Sequence, residues 1–205
     1  TIPLSRILRK NLNTNLVHAI PFSADYEQIF NNKIMQKKLK GKNKISLSPN
    51  YFFDLILNEK PPLSASSIEN NASTWDFYSP IGVILKEGDI YDAGKNNNIV
   101  SVTNPFIKGL RIRTGNDSSL PIEERIEETL AEKDKGYNEF ILGPGAKVKG
   151  LYYLEEHPNY TIKGKNGDKI EENLLKELKE YSNKHNLPLY KFVQGKGFEK
   201  VFNKI

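Results

Sequence analysis

The chain of 205 residues has no cysteine, one methionine, one tryptophan and three histidines. Without cysteine it can build no disulfide framework, no thiolate nucleophile and no cysteine-ligated zinc site. The histidines, His18, His157 and His185, are too scattered along the sequence for a metal cluster, so no metal site is expected. No apolar run approaches the roughly 20 residues that a membrane-spanning helix needs, and no basic segment followed by an apolar one marks a conventional signal peptide. Also missing are a phosphate-binding P-loop, the glycine fingerprint of dinucleotide-binding domains, a Gly-x-Ser-x-Gly nucleophile elbow and any internal repeat. These absences exclude the commonest nucleotide-binding and serine-hydrolase designs. The sequence begins at Thr1, which suggests a piece excised or processed from something longer.

What is present is ordinary for a globular protein: 38% hydrophobic and 27% charged residues. The length suits one full core, and a single domain over residues 1–205 is expected. A net charge of +5 favours acidic partners such as nucleic acid, anionic surfaces or phosphate-bearing small molecules. The lysines of Lys33 to Lys44 read either as a solvated face or as a phosphate-binding run.

Periodicity yields alternating strands and helices. Leu4, Ile7 and Leu8 predict a short basic helix over residues 4–13, and Asn15 to Ile20 a strand closed by Pro21. Ser23 can cap a helix on Tyr26, Ile29, Phe30 and Ile34, and Ile45 to Leu47 reads as a strand leading through Ser48 and Pro49 into an apolar helix. Residues 58–73, rich in Pro, Ser and Asn, read as a loop. Strands follow near Trp75 to Tyr78, Ile81 to Leu85 and Ile99 to Thr103, with a turn at Glu87-Gly88 and an irregular segment from Pro105 to Arg113. Pro121 opens a helix whose Ile122, Ile126, Thr129 and Leu130 share a face opposite a solvated row of glutamates. Tyr137 to Tyr153 reads as a hairpin, two short strands about a Gly-Pro-Gly turn. A helix over Lys169 to His185 and a closing strand from Leu189 to Val193 complete the chain.

Chemistry-bearing residues stand out against this pattern. Glu139 sits inside an apolar strand, where an ionisable group is costly unless it faces a cleft or a partner; the alternative is a solvent-facing strand residue. His18, near the end of LVHAI, is either a ligand-facing or a hydrogen-bonded packing residue. Ser48 can be a simple helix cap and Tyr51 a core residue, and Trp75 reads as a core anchor.

The order of these motifs resembles the ADP-ribosyltransferase superfamily over roughly residues 14–155. LVHAI is similar to the first strand of its histidine-type branches, those of poly(ADP-ribose) polymerases, diphtheria toxin and RNA 2′-phosphotransferases, and the strand at Glu139 resembles the one that carries the family's catalytic glutamate. The resemblance implies an α+β fold with a split β-sheet core and flanking helices. It implies NAD as substrate, with His18 and the adjoining Ala19 contacting it, Ser46 and Ser48 as a Ser-x-Ser element bracing the glutamate, and Tyr51 stacking on nicotinamide. The implied activity is mono-ADP-ribosylation of a macromolecular acceptor, protein rather than nucleic acid, by a soluble domain secreted or delivered into a target cell, as in bacterial toxins and effectors. Tyr137 stands where arginine-modifying toxins carry the first Glu or Gln of a Glu-x-Glu or Gln-x-Glu pair, which argues against arginine as acceptor. A nucleic-acid-directed transferase, acting on DNA or by RNA 2′-phosphotransfer, and a catalytically silent binding module of the same fold are the alternatives.

Overall fold

A computed structural model describes residues 1–20, 63–72, 81–94, 100–103, 111–114, 120–131, 138–154 and 172–202. In chain order the elements are β1 (Ile2–Pro3), α1 (Leu4–Lys10), β2 (Thr14–Ile20), β3 (Leu63–Glu69), β4 (Ile81–Glu87), β5 (Asp89–Gly94), β6 (Val100–Thr103), β7 (Arg111–Thr114), α2 (Ile122–Ala131), β8 (Glu139–Leu142), β9 (Lys147–Leu154), α3 (Glu172–His185), β10 (Leu189–Val193) and β11 (Gly197–Phe202). Nine strands form one open sheet in the order β1-β5-β8-β3-β2-β4-β9-β10-β11, and β6 and β7 pair separately. All neighbours in the large sheet are antiparallel except β9 and β10, which are parallel. The expected α+β class holds.

The connections show that this sheet is folded over. Strands β4 and β5 stand four places apart in the sheet order, which in a flat sheet is about 19 Å at ~4.8 Å per strand. A single residue, Gly88, joins them. Beside it the short Gly143–Ala146 link carries the chain from β8 to β9, which also lie four places apart. Both crossings meet at one corner, since a side chain at Gly88 would run into Leu142 and Ala146. The half made of β1, β5, β8 and β3 therefore faces the half made of β2, β4, β9 and β10 across an apolar layer, the corner being a bend where strands switch halves. That layer holds Leu63, Ala65, Ile90, Phe140 and Leu142 from one half with Leu16, Val83, Leu85, Leu151 and Tyr153 from the other, all buried in one cluster.

A second, more aromatic cluster fills the other face of β2, β4, β9 and β10 together with the end of β3 that pairs with β2, with Val17, Ile68, Ile84, Tyr152, Leu154 and Phe192 buried and Tyr190 and Phe198 packed on them. Burial on both faces explains why β4 reads IGVILKE, apolar for five successive positions. Gly82 is required within it: a Cβ there would lie 2.3 Å from the His18 carbonyl and 2.5 Å from the Tyr152 ring. The turn between β10 and β11 curls back to the turn that follows β3, Gly195 N–H donating to the Ala72 carbonyl at 3.1 Å.

Helices cover the sheet as their apolar stripes direct. Helix α1 buries Leu4 and Ile7 and ends at Lys10, earlier than residue 13, because the Asn11 side chain turns back to donate to the Ile7 carbonyl at 2.9 Å. Helix α2 buries Ile126 and Thr129 with Ile122 and Leu130 beside them, and Glu123, Glu124, Glu127 and Glu128 are exposed as their pattern predicts. Helix α3 buries Leu178 and Tyr181. Among the described residues no helix is long and apolar enough to cross a membrane.

Four sequence expectations are corrected. Residues 63–69 are a strand rather than loop; Ser and Ala carry little strand signal, yet β3 is held from both sides by β2 and β8. The two strands around the Gly-Pro-Gly turn do not pair as a hairpin, because each is taken up by a different half of the sheet. Residues 111–114 form β7 against β6 instead of an irregular segment. A further strand, β11, follows β10, its lysine and glycine content having hidden it. The strand expected over residues 75–78 and the helices and strand expected between residues 23 and 57 lie outside the described residues.

Candidate functional site

Strand β3 changes partner midway, and the site grows out of that exchange. Its second half pairs with β2, the last pair being Val17↔Ser66. Its first half pairs with β8 from Leu63↔Leu142 to Ala65↔Phe140. Continuing the first ladder would set His18 against Ala65 and Ala19 against Ser64, but beyond Val17 strand β2 keeps only β4, through Ile20↔Ile81. The two halves of the sheet part at this point. A backbone carbonyl on an open edge needs a donor, and the His18 ring supplies it: Nδ1 lies 2.6 Å from the Ser64 oxygen.

A carbonyl can only accept, so Nδ1 carries the proton and the neutral ring keeps a lone pair on Nε2. Burial pushes the His18 pKa down, only partly opposed by the bond to Ser64. At neutral pH His18 is therefore an uncharged, fixed acceptor.

The hydroxyl of Ser64 makes the second contact, donating to Glu139 Oε1 at 2.5 Å. Register explains the geometry. Both Ser64 and Asp92 stand opposite Ile141, one on each neighbouring strand, so each is a diagonal neighbour of Glu139, at about 7–8 Å between backbones. Directly opposite Glu139 on β5 is Gly94, which adds no side chain beside the carboxylate. The Glu139 pKa is raised, first by burial and further by the Asp92 charge, while the Ser64 bond works against the rise by favouring the ionised form. Asp92 is itself 7% exposed, and burial raises its pKa against the pull of Arg125 and the Ala93 N–H. Arg125 Nη2 lies 3.2 Å from Asp92 Oδ1, and the Ala93 N–H donates to the same oxygen at 2.9 Å.

On the other side of β3 the ladder to β8 stops at Phe140, and a side chain takes over. Asn138 Oδ1 accepts the Ser67 N–H at 2.8 Å, and its Nδ2 donates to Ser67 Oγ at 2.5 Å and to the Thr129 carbonyl at 3.5 Å.

Of the residues singled out in the sequence, His18 and Glu139 are brought together through Ser64, and Ala19 adjoins His18 on β2. Ser46, Ser48 and Tyr51 lie outside the described residues. Among the described residues a hydroxyl that braces Glu139 comes from Ser64, in the Ser64-Ala65-Ser66 run that reads as loop from its composition. Its signal was the alternation of Leu63 and Ala65 with serines, a weak period of two. Asp92, Arg125 and Asn138 were missed as well; nothing local marks them, because strand register places Asp92 and Asn138 and the packing of α2 against β5 places Arg125. The arrangement offers an uncharged acceptor and a serine-braced carboxylate at an open seam, the elements for binding hydroxyl groups and for stabilising positive charge.

No protein-family model matches the chain, and no curated protein matches its sequence.

Proposed function

We propose that the chain is an NAD-dependent ADP-ribosyltransferase acting on a macromolecular acceptor, with the split-sheet architecture of that superfamily. One observation carries the reading: Ser64 touches the His18 ring with its carbonyl and the Glu139 carboxylate with its hydroxyl, at the point where the sheet parts. The motif order of the sequence, histidine strand first and glutamate strand late, supports it independently.

In this reading His18 Nε2 accepts a hydrogen bond from a ribose hydroxyl of NAD, and Glu139 accepts one from the 2′-hydroxyl of the nicotinamide ribose. The bond between C1′ and the nicotinamide nitrogen breaks, and its electron pair leaves with nicotinamide. The positive charge that develops on the ribose is stabilised by the fixed Glu139 carboxylate, an interaction stronger in the transition state than before it. An acceptor nucleophile then bonds to C1′ and gives up its proton. Ser64 contributes by holding the carboxylate in place and favouring its ionised form. A protein acceptor is the first choice. Exposed Lys149, Lys196 and Lys200 on the β9 to β11 side, with the net charge of +5, favour a nucleic-acid acceptor as the second reading, for which binding would weaken steeply with salt.

Incubation with NAD labelled in its adenylate phosphate, with protein and nucleic-acid fractions of a cell lysate, tests this. Release of nicotinamide with transfer of label to one fraction is expected. An intact protein that neither binds NAD nor releases nicotinamide would leave a binding module of this fold.

A further inference from the structure

We infer that Asn138 is a positioning residue for the Glu139 carboxylate, holding the start of β8 to β3 where the backbone ladder between them has ended. This deepens the proposed reading and rests on it for its catalytic consequence. Asn138 is 7% exposed, and a buried amide is retained only where its donors and acceptor are met. Here its orientation is forced: the Ser67 N–H can only donate, so it meets Oδ1, and the Thr129 carbonyl can only accept, so it meets Nδ2. The amide thus clasps three elements, β3 through Ser67, α2 through Thr129, and the first residues of β8. Glu139 is the next residue in the chain, and beyond Ala65↔Phe140 no β3–β8 ladder pair fixes it toward Ser64. Its remaining ladder partner, Gly94, lies on the opposite side, on β5. The bond between Ser64 Oγ and Glu139 therefore depends on the Asn138 clasp for its register.

Leucine shares the branched shape of asparagine, with two slightly bulkier methyls in place of the amide, and offers no hydrogen bonds, so Asn138→Leu removes the clasp with little change of shape. In the intact chain, kcat for nicotinamide release should fall roughly tenfold while KM for NAD stays nearly constant, short of the hundredfold that a ~1 Å misplacement can cost. The readout specific to positioning is the titration of the Glu139 carboxyl by carbon NMR. It should move upward in Asn138→Leu and in Ser64→Ala alike, and the double variant should move no further than the larger single one. Should Asn138→Leu fail to fold, Ser67→Ala removes only one of the three bonds and should move the titration upward by less. A folded variant whose Glu139 titration stays at the parental position overturns the inference, as does a loss of kcat that follows the unfolded fraction. If the parent releases no nicotinamide, the transferase reading fails, and the titration still decides the role of Asn138.

Discussion

The two seams beside β3 differ in what fills them. On the β2 side the gap is bridged by His18, a ring that can titrate and that keeps an acceptor atom unused by Ser64. On the β8 side it is bridged by Asn138, which has no charge to gain and whose amide is fully engaged by Ser67 and Thr129. Both replace a lost ladder with a side chain, but only the first leaves chemistry available. Ser64, on the strand between them, carries the contact from His18 to Glu139.

The largest expected effect comes from Glu139→Gln, which keeps the shape of the site and removes its charge. Loss of a comparable preorganised contact costs about a hundredfold to a thousandfold in turnover, so nicotinamide release should collapse while NAD affinity changes little. If the seam were only structural, the melting temperature would fall instead and activity would follow the folded fraction. A smaller effect is expected from His18→Ala. Losing one hydrogen bond at a binding site should weaken NAD affinity by roughly tenfold, in line with ~1–1.5 kcal/mol for such a bond, and calorimetry with an unchanged dissociation constant would remove His18 from the site.

The subtlest consequence lies in pH dependence. His18 has a lowered pKa when folded, so below its ordinary 6.5 the unfolded chain binds the proton more readily and stability falls as pH falls. Glu139 has a raised pKa, so above its ordinary 4.5 the folded chain holds the proton longer and its contribution to stability is lost as pH rises through that window. Activity needs the ionised carboxylate and should rise along an acid limb set by the raised pKa. Ser64→Ala should shift that limb to higher pH, because the serine bond favours ionisation; a limb that moves downward would contradict the bracing role.

The sequence was legible where burial is simple. Helices α1, α2 and α3 and strands β2, β4 and β10 follow from apolar spacing, and Glu139 and His18 stood out as polar residues in apolar strands. The illegible parts are set by partners distant in the chain. Strand β3 has serines where strands usually carry branched residues, and it is a strand because β2 and β8 hold its two edges. The Tyr137 to Tyr153 region looked like a hairpin because nothing local says that Leu142 and Lys147 belong to opposite halves. Asp92 reaches Glu139 through register across β5 and β8, 47 residues along the chain from it, a relation that no short motif expresses.

The contrast between the two seams is tested most directly by NAD added to isotope-labelled protein and followed by NMR. The His18 ring nitrogen Nε2 and the Glu139 carboxyl should shift with saturable dependence on NAD, while the Asn138 side-chain amide holds its position. Saturating NAD that leaves His18 and Glu139 unmoved, or that displaces the Asn138 amide as strongly as the His18 ring, would contradict it.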